Sequence, residues 1–371
     1  MANKAIKYRL YPTSEQAVLF AKTFGCCRKV WNLMLADKIK SYKETKSFGK
    51  QTPAMYKKEY SYLKEVDSLA LANVQLHLQQ AMKNCFGSKH CKFPKFKSAK
   101  HSRKSYTTNN QKGTITIFDN AIRLPKVGKV KAVIHRRCEE WKVKSATISQ
   151  DSDGKYYASV LYEFELETVT MSRNIENAIG LDYKSDGLYM DSNGNIGSNH
   201  KYYRESYEKL AKEQRKLSRK KGSKKREQKS NNYIKQQRKV GKIHRHIANQ
   251  RLDNLHKKST EIANCVDVVC VENLNMRAMA NKGFGNGKAT LDNGYGLFVN
   301  MLEYKLTDRG KYLVKVDKWY PSSQICNCCG NIQKMKLTDR KYKCACGYIC
   351  DRDINAAKNI RREGIRLLMA V

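Results

Sequence analysis

Between residues 5 and 10 apolar and basic side chains alternate, which is the period of a strand, and the pattern turns at Pro12. The period then lengthens. Val18, Phe20, Ala21, Phe24, Val30, Trp31 and Leu35 form one helical face, and Thr13 with Gln16 supplies a capping box at its start. A second helical stretch follows at about 68–86, so 13–90 is predicted to be mainly helical. From 114 to 164 the period returns to two. The runs TITIF, KVKAVIH, KSATISQ and YYASVLYEF are separated by turn signals such as DSDG. They predict a small barrel or sandwich that the strand at 5–10 completes. Residues 165–178 read as a link.

The second half opens on AIGLDYKSDGLYMDSNGN, a hydrophobic strand carrying Asp182 and a hairpin partner that turns at DSNGN. Residues 204–264 are helical and very basic, and SRKKGSKKREQKS breaks them into two helices. On the second helix Ile234, Val240, Ile243, Ile247, Leu252, Leu255 and Ile262 form the apolar stripe. CVDVVCVENLNM reads as a buried-type strand over 266–271 that ends at Glu272. NKGFGNGKATLDNGYG holds nothing to anchor a core and is expected to be a mobile loop. A helix at about 297–308 and the strand GKYLVKVDKWY lead to a cysteine cluster. CDRDINAAKNI then starts the last helix, with Asp351 and Asp353 in its first turn.

Length and charge bound the partners. A chain of 371 residues with 40% hydrophobic content can build two or three cored domains. Lys and Arg total 73 against 34 acids, a net charge of +39 spread along the chain. Such a surplus implies a polyanion with an extended footprint, because each neutralised phosphate releases a counterion. Nucleic acid is the leading candidate. In CKFPKFKSAKHSRKSYTTNN lysines suited to phosphates interleave with Phe and Tyr suited to bases or sugars; a solvated linker is the alternative. No stretch approaches the roughly 20 apolar residues of a spanning helix, and no signal-peptide pattern opens the chain. No membrane partner is therefore expected.

The 13 cysteines are odd in number and scattered, which predicts a reduced, intracellular protein with one metal site rather than a disulfide framework. Cys326, Cys329, Cys344 and Cys346 form C-x-x-C and C-x-C knuckles, a set suited to one tetrahedral structural Zn2+. Cys328 and Cys350 are spare, and Cys328 could replace a knuckle ligand. Asp182 and Glu272 lie in apolar strands, where an unpaired acid is costly. With an aspartate of the last helix they could converge on Mg2+ and hydrolyse a phosphodiester with two ions. Taken singly, each acid could equally cap a helix or pair on the surface.

GLDYKSDG, VENLNM, the cysteine ribbon and DRDINAAKNI, in that order and after YRLYPTSEQ and FGCCRKVWN, resemble the TnpB family. These are OrfB-type, transposon-associated RNA-guided DNA endonucleases related to compact type V CRISPR effectors. The resemblance spans essentially the whole chain, and FPKFKS, SYTTNN, IRLPKVGKVK and SATIS resemble the family's wedge region. It implies an α+β multidomain fold. A wedge-like β-barrel would occupy 1–12 and 91–170, with a helical recognition domain inserted over 13–90. A RuvC-type, RNase H-like nuclease domain would occupy 171–320 and 351–371, with a zinc ribbon inserted over 321–350. The implied catalytic triad is Asp182, Glu272 and Asp353, holding two Mg2+ ions; Asp353 is chosen over Asp351 because the family's acid directly precedes x-N-A-A. The implied partners are a guide RNA from the transposon end, one protein per RNA, and a double-stranded DNA target beside a short adjacent motif. The implied compartment is the prokaryotic cytoplasm. Amides and hydroxyls of Asn73, Gln75, Thr107, Thr108 and Asn109 are the candidates for reading that motif, with capping and turn roles as the alternative. The ribbon departs from the commonest pattern by its C-x-C, which leaves the fourth sulfur ligand open.

Three other classes compete. A guide-independent RNase H-like transposase would cut transposon ends without RNA. A nuclease-inactive RNA-guided repressor would bind without cutting, although all three acids are present. A zinc-ribbon transcription factor would explain cysteines and charge while leaving the strand acids idle.

Overall fold

The computed structural model describes residues 2–88, 91–165, 171, 174–198, 200–223, 227–281, 287–336 and 339–370. They fall into two compact units, Met1–Leu166 and Glu167–Val371. Parts of the predicted link, of the basic break and of the glycine-rich loop, and residues 337–338 of the ribbon, lie outside the described residues.

The first unit runs β1 (Ala2–Tyr11), α1 (Ser14–Thr45), the short α2 (Tyr56–Glu59), a 3-10 turn (Ser61–Lys64) and α3 (Ser68–Gly87). Six strands follow: β2 (Lys104–Asn109), β3 (Thr116–Ile117), β4 (Ala121–Leu124), β5 (Gly128–Val133), β6 (Lys142–Gln150) and β7 (Tyr156–Phe164). The alternation in β1 buries Ile6, Tyr8 and Leu10. The capping box forms as expected, with the Thr13 hydroxyl accepting the Gln16 N–H and the Gln16 amide oxygen accepting the Thr13 N–H. Of the predicted α1 face Phe20, Phe24, Val30, Trp31 and Leu35 are buried, whereas Val18 faces water.

All strands of this unit join one antiparallel sheet in the order β2-β6-β7-β1-β5-β4-β3. Among the described residues no ladder joins β2 to β3, so the strand order alone does not close the barrel that the sequence predicts. KSYTTN, read from sequence as part of a basic loop, is strand β2. Its inward pair, Tyr106 and Thr108, is buried, and the Tyr106 ring lies against Phe20 and Phe24 of α1. The lysines before it mask this short alternation.

The second unit contains β8 (Ala178–Tyr183), β9 (Tyr189–Asp191), β10 (Ile196–Gly197), α4 (Tyr202–Glu205), α5 (Tyr207–Ser218) and α6 (Asn231–Cys265). It continues through β11 (Val268–Glu272), α7 (Met276–Met279), α8 (Gly287–Asn293), α9 (Tyr295–Thr307) and β12 (Tyr312–Val316). The hairpin β13 (Lys341–Lys343) and β14 (Ile349–Asp351) precedes α10 (Arg352–Met369). The sheet order is β10-β9-β8-β11-β12, with β8, β11 and β12 parallel and the β8–β9–β10 meander antiparallel.

Parity divides the β11 side chains between two cores. Val269 and Val271 pack with Leu255, Ile262, Phe298 and Leu302 of α6 and α9, whereas Val268 and Cys270 pack with Ile360 of α10. Helix α10 lies very close to its strands. A Cβ on Gly180 would sit 2.0 Å from the Ala357 carbonyl oxygen, and one on Gly364 would sit 2.3 Å from Cys270 Sγ.

Half of the predicted glycine-rich loop is not a loop. It forms α8 and the start of α9, anchored by polar groups where the sequence offers no apolar ones: Arg251 bonds Asp292 at 3.0 Å, and the Asn293 amide donates to the Lys184 carbonyl at 2.9 Å.

Candidate functional site

Strand parity gathers the acids. Gly180 and Asp182 of β8 alternate with Ile179 and Leu181, which face α6 and α9, so Asp182 lies on the α10 side. The same count puts Glu272, two past Cys270, on that side of β11. Leu181 pairs with Val271, so both acids sit one step further along, at the carboxyl ends of adjacent parallel strands. Ligands of open α/β sheets gather at such ends. Asp353 enters from the first turn of α10.

The electrostatics fit a crowded anionic centre. The Asp182 carboxyl is pushed well above its ordinary range by withdrawal from water, then by Glu272 and Asp353, with Arg352 and Lys184 pulling it back. Loss of water also raises Glu272, against the Ser322 hydroxyl that donates to it at 2.5 Å. Lys184 Nζ lies 2.7 Å from one Asp353 oxygen and the Arg352 guanidinium 3.6 Å from the other. Burial, followed by the charges of Asp182 and Glu272, raises the Tyr295 phenol, whose buried hydroxyl has no hydrogen-bond partner among the described residues. Asp351 instead caps α10, accepting the N–H groups of Asp353 at 2.8 Å and Ile354 at 3.3 Å.

The donor set of three carboxylates is hard and oxygen-rich, which suits Mg2+. Their oxygens do not lie within 4.8 Å of one another; among the described residues only the cysteines form so tight a group.

That tight group is Cys326, Cys329, Cys344 and Cys346. The Sγ separations of 3.8 Å (Cys326 to Cys346) and 3.5 Å (Cys329 to Cys344) approach the ~3.8 Å edge of a tetrahedron with 2.3 Å Zn–S bonds. Burial works against the Cys326 thiolate, yet the backbone N–H groups of Cys329 and Cys328 bring its pKa down to about 7. Cys328 stays outside the cluster and exposed. The knuckle at Cys344 and Cys346 is carried by the β13–β14 hairpin, where the buried Tyr342 donates to the Gln324 carbonyl at 3.2 Å.

Two residues overlooked in the sequence join ribbon to helix. Fully buried Asn355 and Asn359, one turn apart on α10, donate to the Ile325 carbonyl at 2.7 Å each; Asn359 also donates to the Ser322 carbonyl at 2.8 Å. The Asn327 N–H and side-chain amide donate back to their oxygens. Asparagines on the otherwise Ala- and Ile-lined face of DINAAKNI were the available signal. Lys184, Ser322 and Arg352 carried none.

The candidate motif readers scatter. Asn73 is buried and donates to the Leu69 carbonyl at 2.9 Å. Thr108 is fully buried, with its hydroxyl on Asp67, the α3 cap. Thr107 shares a 2.8 Å bond with Thr147, while Gln75 and Asn109 are half-buried. Asn73 and Thr107 line one cleft of about 160 Å3 with Arg28, His77, Lys97 and Arg103; Gln75, Thr108 and Asn109 do not.

Comparison with known proteins completes the picture. Three family models match: a "Helix-turn-helix domain" at 1–47, "Probable transposase" at 159–283, and "Cas12f1-like, TNB domain" at 295–360. The first covers a strand and one long helix here. A Streptomyces pristinaespiralis protein named "Putative RNA-guided DNA endonuclease" is 36% identical, over 98% of this chain and 89% of its own. An Escherichia coli K12 protein, "Putative RNA-guided DNA endonuclease InsQ", is 30% identical over 98% and 93%. The protein of a Cas12f1–sgRNA–target DNA complex shares the fold, with a TM-score of 0.58 at 13% identity over 97% of this chain and 98% of that one. By its full-length similarity to these named endonucleases and its match to the OrfB transposase model, the chain belongs to the TnpB-like family of transposon proteins.

Proposed function

We propose that this chain is an RNA-guided DNA endonuclease, which binds a guide RNA and cuts double-stranded DNA that the guide pairs with. The observation that carries the reading is the meeting of Asp182, Glu272 and Asp353 at the ends of β8, β11 and the start of α10, in a chain of net charge +39. Asp182, Glu272 and Asp353 would hold two Mg2+ ions, which when bound supply an activated water and shield the leaving oxygen of the cut phosphodiester.

The chain's own groups prepare that centre. Ser322 orients Glu272 through its hydroxyl, and Lys184 and Arg352 fix Asp353 and offset its charge. Asp351, by capping α10, holds the turn that presents Asp353. The knuckle cysteines would hold one structural Zn2+, and Asn355 and Asn359 tie that ribbon beside Ser322. Delegating sequence choice to guide pairing accounts for so basic a chain: an A-form heteroduplex is held by charge and shape.

The sheet of the first unit would serve as the wedge, closing further into a barrel, with 13–90 as the recognition domain. For the adjacent motif the basic cleft favours Asn73 and Thr107, which line it, over Thr108, which does not.

The test is to purify the protein, sequence the RNA that accompanies it, and challenge the complex with a randomised-flank plasmid library in Mg2+, with Asp182→Ala as control. Guide-matched cuts that vanish in the variant are expected. Cutting of transposon ends by RNA-free protein would replace this reading with the unguided transposase, and guided binding without cutting would replace it with the repressor.

A further inference from the structure

The three tryptophans are treated very differently by the fold. Trp31 is 7% exposed with its indole N–H on the Lys95 carbonyl, and Trp141 stacks on Phe164 at 4.2 Å. Trp319 is 80% exposed, and among the described residues no aromatic ring lies against it. An exposed indole offers a broad, rigid π face with a polar N–H at its edge.

The turn that carries it is neither loose nor remote. Its N–H is held by the Asp317 carboxylate at 2.8 Å, the Tyr320 N–H by the Asp317 carbonyl at 3.1 Å, and the Ser322 N–H by the Tyr320 carbonyl at 2.8 Å. Both ends of the turn are wired to Glu272. On one side Val316 pairs with Glu272 across the sheet; on the other Ser322 donates to the Glu272 carboxylate and is anchored by Asn359. Trp319 is therefore carried on a hydrogen-bonded turn, three residues along the chain from each contact with Glu272. Lys318 Nζ lies 4.8 Å from the ring centroid, a cation next to the π surface where a sugar–phosphate chain would bring its charge.

We propose that Trp319 is the stacking platform for an unpaired base of the DNA strand entering the cleavage centre, with Lys318 on the adjoining phosphate. A flat π face accepts any base, so the contact fits a site that cuts whatever sequence the guide has exposed. The role is substrate positioning, and it rests on the endonuclease reading above.

The experiment uses the full chain with its guide RNA. Duplex targets carry 2-aminopurine at successive positions across the cut region, and Asp182→Ala keeps the strand intact. Quenching by stacking at one or two positions is expected; Trp319→Phe retains it and Trp319→Ala loses it. In the Asp182-intact protein Trp319→Ala should slow cutting of saturating target about 10-fold, while Trp319→Phe stays within about 3-fold of wild type. Unchanged quenching and rate in Trp319→Ala, or the same loss in a variant whose zinc content has also fallen and that Trp319→Phe does not rescue, overturns the proposal. If single-stranded guide RNA rather than DNA protects the Trp319 fluorescence, the DNA assignment is wrong. Wild-type protein that fails to cut any guided target would overturn the endonuclease reading instead.

Discussion

Asp182 concentrates the charge conflict of the centre, because it loses water and faces two other acids. Its raised pKa means the folded state holds the proton more tightly than the unfolded chain does. That stabilising contribution is complete below the ordinary carboxylate pKa of about 3.9 and is lost as pH rises through the elevated folded value. In magnesium-free buffer Asp182→Asn should therefore melt above wild type by a margin that widens with pH, and added Mg2+ should close it. A constant margin in a melting series across pH would show that no such conflict exists. Ser322 acts one bond further out: it only orients Glu272, so Ser322→Ala should cut about 10–100-fold more slowly without losing its zinc. Steady-state cleavage and metal analysis of the same preparation check both halves.

Elements are held by close approach and by buried amides more than by apolar bulk. Helix α10 lies on β8 at a distance only glycine permits, with backbone rather than a yielding side chain opposite Gly180. Gly180→Ala should cost more than about 2 kcal/mol in urea unfolding, since strand or helix must shift. Asn359→Ala strips a donor from two buried carbonyls and should cost about 1–3 kcal/mol, loosening the ribbon from α10 while the four cysteines keep their geometry. Much at this scale was legible in advance. The α1 capping box, the long helix α6 and strands β8 and β11 follow from local period and caps, which neighbours along the chain decide. What escaped was β2, hidden in a basic run, and α8, whose anchors Asp292 and Asn293 are polar and so resemble loop residues until their partners Arg251 and Lys184 are in place.

At the scale of the whole molecule the net charge of +39 governs association. If guide RNA is held mainly through phosphates, its affinity should fall about 1,000-fold or more between roughly 50 and 200 mM salt. A nearly flat plot of log affinity against log salt from filter binding would point to contacts other than phosphate. Among the described residues no helix is long and apolar enough to cross a membrane. The sequence alone determined the periods of the main elements, the cysteine spacing, the cationic surplus and which acids sit in apolar strands, because each is a property of neighbours in the chain. Only the tertiary structure decided that Asp182 and Glu272 share the face covered by α10 and that Lys184, Ser322 and Arg352 surround them. It also decided that Thr108 is buried and that Trp319 is bare. Parity along a strand says that two side chains face opposite ways; which of the two directions meets a helix, an ion or water depends on groups far away in the chain, as Lys184 and Asp353 are 169 residues apart.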